Sequence, residues 1–241
     1  WSFVHNSPFV ADLPTGIDTN NNGETDEATG HGTMITGILS QMCPDASLTI
    51  IQMANSDGMA TSWNALKSIV YAVENQCKLI NFSFGAVGDL EAMERVSDWA
   101  FAHGSLIVAP SGNMAYHRAL APSKYDHVVC VTGLLPTGVR APFSNWDSGA
   151  DVSAPATGIE SAWWTGESAV WSGTSFSAPL VTGALANAME RTPSRSLTSL
   201  MYRLERSGKD IDPLNPGYQG KLGRALDYQS LVRALGGTPL R

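Results

Sequence analysis

Three short stretches hold residue types suited to acyl transfer. His31 lies between glycines in Gly30-His31-Gly32-Thr33. Glycine on both sides permits a tight turn and leaves the imidazole uncovered, as a general base requires. Asn113 ends Ser111-Gly112-Asn113, directly after the apolar run 106–109. An open parallel sheet takes its ligands at the carboxyl ends of its strands, and a primary amide there is a hydrogen-bond donor. Ser175 stands in Ser172-Gly173-Thr174-Ser175, just before the helical stretch that opens at Phe176. In a first helical turn, unpaired N–H groups and the helix dipole favour developing negative charge. Taken singly, each residue also suits a plainer role, as a turn histidine or a capping asparagine or serine. Taken together they supply a base, an oxyanion donor and a nucleophile.

Alternating elements must position these residues. The runs LTIIQM (48–53), KLINFSF (78–84), SLIVAP (105–110) and HVVCVTG (127–133) read as strands. The last two are nearly all apolar, as in strands buried on both faces. Helical spacing covers 34–42, 62–75, 90–102, 176–190, 196–205 and 228–235. In the third of these, Met93, Val96, Ala100 and Phe101 share one face. Pro179 suits its helix only because it comes so early. The alternation predicts an α/β fold: a doubly wound, mostly parallel sheet with helices on both faces. No repeat or low-complexity linker interrupts it, so residues 1–241 read as a single domain.

Composition narrows the function classes. The 241 residues are 43% hydrophobic and 15% charged, which suits one large folded domain and excludes disorder as the main state. No apolar run reaches the roughly 18 residues of a membrane span. Lys plus Arg number 15 against 22 Asp plus Glu, a formal charge of -7, which argues against a nucleic-acid surface. No G-x-G-x-x-G follows a strand, which argues against a dinucleotide site. The three cysteines leave at least one unpaired thiol. Cys130 reads as a buried small hydrophobe, while Cys43 and Cys77 suit either free thiols or a disulfide.

These motifs, in this chain order, resemble the subtilisin-like serine protease family. GHGT (30–33), SGN (111–113) and SGTSFSAP (172–179) match its histidine, oxyanion and serine motifs. CPDASLTIIQM (43–53), KLINFSFG (78–85), APSKYDHVVCVTG (121–133), APFSNWDSGADVSAPA (141–156) and NPGYQGKLG (215–223) resemble supporting segments. The resemblance implies a secreted, extracellular or periplasmic serine endopeptidase acting on protein or peptide substrates. His31 would be the base, Ser175 the nucleophile and Asn113 an oxyanion donor. Substrate would lie extended between Gly58 to Ala60 and Ser83 to Gly85, with Ser111 and Gly112 walling the P1 pocket. The alternative is an inactive peptide-binding or scaffold domain that kept the fold.

The chain also departs from that family. No apolar run ending Asp-Ser/Thr-Gly precedes the histidine, and Pro14 of PTGID (14–18) stands where the aspartate would be. Asp12 and Asp18 read as solvated loop residues. The expectation is an aspartate strand upstream of Trp1, cut away or carried by an N-terminal segment or propeptide of the same precursor. Phe176 follows the serine where many relatives have Met. Leu120 stands where a small residue often floors the P1 pocket, so medium apolar P1 residues are expected over aromatic ones. Asp18, Asn20, Asn22, Gly23, Glu24 and Asp26 fit positions 1, 3, 5, 6, 7 and 9 of a calcium loop, with Thr29 at position 12. A structural calcium ion and a solvated acidic loop are both open readings.

Overall fold

The structure is a computed structural model that describes residues 1–192 and 196–237. The chain runs through α1 (His31–Met42), α2 (Ser62–Glu74), β1 (Leu79–Asn81), α3 (Glu91–Ala102), β2 (Leu106–Pro110), β3 (Val128–Leu134) and β4 (Val152–Pro155). A hairpin of β5 (Ile159–Ala162) and β6 (Ser168–Trp171) follows, then α4 (Thr174–Arg191), α5 (Leu197–Ser207), β7 (Arg224–Ala225) and α6 (Tyr228–Ala234). One sheet has the order β1-β2-β3-β4-β7, and all its pairs are parallel.

Period-two alternation in the central strands divides the core into two layers. Leu106 and Val108 of β2, with Val129 and Val131 of β3, pack on one side against α4, α5 and α6. Ile107 and Ala109 face the other way, toward Ala65 and Ile69 of α2 and Met93 and Ala100 of α3. The expected doubly wound α/β sheet is therefore observed. Its helices begin at side-chain caps where the sequence provides them: Thr61 Oγ1 accepts from Asn64 N at α2, and Asp227 Oδ1 accepts from Ser230 N at α6. Helix α4 is buried for most of its length, because alanines and other small residues let strands approach it closely.

A third cluster forms beside the sheet. Met34 and Ile38 of α1 meet Phe176 of α4, and Trp163, Trp171 and Ile159 of the hairpin region close over them. Gly30 makes this contact possible. Its φ is 89°, and a Cβ there would lie 2.2 Å from the Trp163 ring. Cys43, Cys77 and Cys130 are free thiols.

The expected strand at 48–53 forms no ladder with β1. It holds only the chain's opening residues: Trp1 N donates to Ile50 O, Gln52 N to Trp1 O, and Phe3 N to Gln52 O. Ile51 and Met53 still pack on the α2–α3 layer. The apolar alternation thus places the side chains, but no neighbouring strand supplies the ladder.

Candidate active site

Ser175 is the second residue of α4. The entry to this helix is fixed from three sides. Gly173 N donates to Ala156 O at 2.8 Å, Ser177 Oγ to Pro155 O at 2.8 Å, and Ser83 Oγ to Ser175 O at 2.8 Å. Asn113 stands on the loop after β2, where its carbonyl oxygen accepts from Thr174 N at 2.9 Å and Thr174 Oγ1 at 2.8 Å. Those bonds fix the amide's orientation. Its nitrogen lies 3.3 Å from the point where a Cβ on Gly173 would sit, beside the first turn of α4.

The loop itself hangs on Asn145, a buried residue that no motif in the sequence marks. Asn145 Oδ1 accepts from Met114 N and Tyr116 N, and Nδ2 donates to Ser111 O and Arg118 O. All of its hydrogen-bonding capacity is used to shape the segment that carries Asn113.

His31 opens α1, with its ring centroid 5.4 Å from that of Phe176 and 6.3 Å from that of Trp171. Phe176 is the residue after Ser175, so one aromatic cluster joins the segments that carry His31 and Ser175. Burial holds the imidazole below its ordinary pKa, and the charge of Asp12 opposes that shift. A neutral imidazole at neutral pH is the form that accepts a proton. Asp12 is a half-buried residue and not the solvated one expected. Its Oδ1 accepts from Gly30 N, and its Oδ2 accepts from Thr33 N and Thr33 Oγ1. It therefore caps α1 from 18 residues upstream, where no adjacent side chain does so. Among the described residues, no carboxylate hydrogen-bonds the His31 ring.

The expected P1 walls converge on one side chain. A Cβ on Gly85 would lie 2.9 Å from Leu120 Cδ1, and one on Gly112 would lie 2.8 Å from it. Leu120 N donates to Ser111 O, and Ala86 and Ala121 exchange backbone hydrogen bonds across the gap. Leu120 is 8% exposed, so it fills the space between Ser83–Gly85 and Ser111–Gly112. The turn holding Gly58 lies beside the histidine loop, with Ala28 N donating to Ser56 O and Gly58 next to Ala28. Ala60 follows this turn just before α2.

The acidic loop closes on its own hydrogen bonds. Asp18 accepts from Asn22 N and Gly23 N, Asn22 Oδ1 accepts from Glu24 N, and Asn20 and Asn22 donate to Glu27. Asp26 is turned away, accepting from Thr15 N and Gly16 N. A calcium ion needs six to eight oxygens converging on one point. Among the described residues, no group of three or more His, Cys, Asp or Glu side chains converges in that way. Asp18, Asn20, Asn22 and Asp26 each spend a side-chain oxygen on backbone N–H groups.

The Subtilase family profile matches residues 7–216. Subtilisin BL of Lederbergia lenta is 26% identical over 228 residues, covering 86% of this chain and 85% of its own length. Subtilisin DY of Bacillus licheniformis is 28% identical over 198 residues, covering 77% and 72%. Among solved structures, a lanthipeptide protease aligns with a TM-score of 0.76 at 23% identity, covering 85% of this chain and 75% of that one. With a match over most of its length and with its histidine, asparagine and serine loops gathered around α1 and α4, the chain belongs to the Subtilase family.

Proposed function

We propose that this chain is a serine endopeptidase that cleaves peptide bonds through an acyl-enzyme on Ser175. The Ser175 hydroxyl oxygen attacks the scissile carbonyl while His31 takes its proton and then delivers it to the leaving amine. Water attacks the acyl-enzyme by the reverse of these transfers, with His31 again as base. Asn113 Nδ2 and the Ser175 N–H stabilise the oxyanion. Removing the equivalent side-chain donor in a subtilisin costs about 10²–10³ in turnover, a value belonging to that enzyme and not to this chain.

The substrate lies extended along Gly58–Ala60 and Ser83–Gly85 by strand addition, with its P1 side chain against Leu120. Secretion is part of this reading, and it rests on the resemblance of the sequence motifs. No helix of the described residues is long and apolar enough to cross a membrane.

The locked Asn113 carries the proposal. Its carbonyl is held by Thr174 N and Oγ1, which leaves its amide nitrogen at the entry to α4, near Gly173, where it can donate to an oxyanion. A fluorophosphonate probe should label the wild type and spare Ser175→Ala, which should keep its melting temperature. Full peptide hydrolysis by Ser175→Ala would end this reading.

One observation favours a second reading, a peptide-binding domain without turnover: among the described residues, no carboxylate hydrogen-bonds the His31 ring. In that case peptides would bind and the probe would not react. Under the protease reading, a segment of the same precursor or a propeptide supplies the carboxylate.

A further inference from the structure

Pro179 lies inside α4, four residues after Ser175. In a regular helix the N–H of residue 179 would donate to the carbonyl of residue 175. Proline has no N–H, so the nucleophile's own carbonyl loses its helical partner. The structure shows what replaces it, since Ser83 Oγ donates to Ser175 O at 2.8 Å. The Ser83 hydroxyl is itself held, accepting from Asn81 Nδ2 at 2.9 Å. Asn81 Oδ1 in turn lies 3.1 Å from Thr182 Oγ1, one turn further along α4. The chain of bonds leaves α4 at Thr182, crosses to the end of β1 and returns to α4 at Ser175.

We propose that Ser83 is a positioning residue whose hydroxyl stands in for the N–H that Pro179 lacks. It ties the backbone of the nucleophile to the same strand end that presents its edge to the substrate. A helical N–H would fix Ser175 only relative to its own helix. The Ser83 bond fixes it relative to the substrate-bearing edge, where the scissile carbonyl must be placed. The inference rests on the protease reading for its kinetic consequence but not for the bond itself.

A double-mutant cycle tests it, read by fluorophosphonate labelling rate and by thermal unfolding. The probe does not pair with the strand edge, so a slower rate is not lost substrate binding. Ser83→Ala should label about tenfold more slowly, the effect of one hydrogen bond on the reacting geometry. Ser83→Thr, which keeps the hydroxyl, should recover most of the rate lost in Ser83→Ala. Pro179→Ala restores an N–H to the helix, so Ser83→Ala should cost far less, in rate and in melting temperature, on that background. If Ser83→Ala does not fold, Ser83→Cys, a weak donor of similar size, takes its place with the same expectations. Wild-type labelling in Ser83→Ala, or an equal loss with and without Pro179, would overturn the proposal. A folded wild type that never labels would instead remove the protease reading, and the melting cycle would still decide the coupling.

Discussion

On the proposed protease reading, Leu120 narrows the P1 pocket. It fills the space between Gly85 and Gly112, so medium apolar P1 residues should outcompete aromatic ones. Leu120→Gly should raise kcat/KM for a Phe-P1 peptide at least about tenfold relative to its Ala-P1 counterpart, measured on matched peptides. An unchanged ratio would place P1 elsewhere. Asp12 caps the helix that His31 opens, and its charge acts on the His31 imidazole. Replacing Asp12 with Ala should cost about 1 kcal/mol of stability, as the loss of a helix cap does. Replacing it with Asn removes the charge that raises the His31 pKa, while burial still lowers it. The acid limb of the labelling–pH profile, which follows loss of the His31 proton, should then move to lower pH. Movement to higher pH would contradict the assigned sign. His31, Asn113 and Ser175 stand out in the sequence because their types and neighbours form motifs, and Leu120 because of the family resemblance. Asn145 and the capping role of Asp12 were not, because both act on backbone groups far along the chain, a relation that no local spacing encodes.

Among the elements, the long apolar strands and amphipathic helices were legible from period alone, because burial on both faces leaves β2 and β3 nearly all apolar. β4, the β5–β6 hairpin and β7 were not read as strands, being short and part-polar, with Ser153 and Ser161 at buried positions. The loop before β4 carries a testable consequence of its burial. Asp151 Oδ2 accepts from Cys130 N at 2.6 Å, yet burial pushes the Asp151 carboxyl up to about 7. Its folded pKa thus lies above the unfolded value of 3.8, and the folded state holds the proton more tightly. Its contribution to stability is full below the unfolded value, falls as pH rises toward about 7, and is constant above that. Asp151→Asn should therefore gain melting temperature over the wild type progressively between pH 4 and 7, with a constant difference beyond. A difference independent of pH would show that Asp151 stays ionised.

At the scale of the whole molecule, no strand among the described residues pairs with the outer edge of β1. Lys78 O accepts from Leu106 N and Phe82 N donates to Val108 O, so the even-numbered residues of β1 face β2. The backbones of Leu79 and Asn81 therefore face outward from the outer strand of the sheet. In 48–53, Ile50 and Gln52 face Trp1–Phe3, which turns Thr49, Ile51 and Met53 the other way. Both edges belong to one crossover through α2, and Ile51, Met53, Ile80 and Phe82 pack on the same layer. Unpaired edges of this kind are templates for another strand. A parallel strand seated there would end at the carboxyl edge of the sheet, and a terminal aspartate would then be placed to orient the His31 imidazole and stabilise its charged form. Without such a carboxylate, turnover should be lower by about 10⁴, with Ser175, His31 and Asn113 still in place. A strand of apolar residues ending in Asp, fused upstream or added as a peptide, should raise both the melting temperature and the labelling rate. The same strand ending in Asn should raise the melting temperature alone, which separates completion of the sheet from completion of the catalytic set. Full turnover by residues 1–241 without any added strand would assign the carboxylate's role to Asp12 instead.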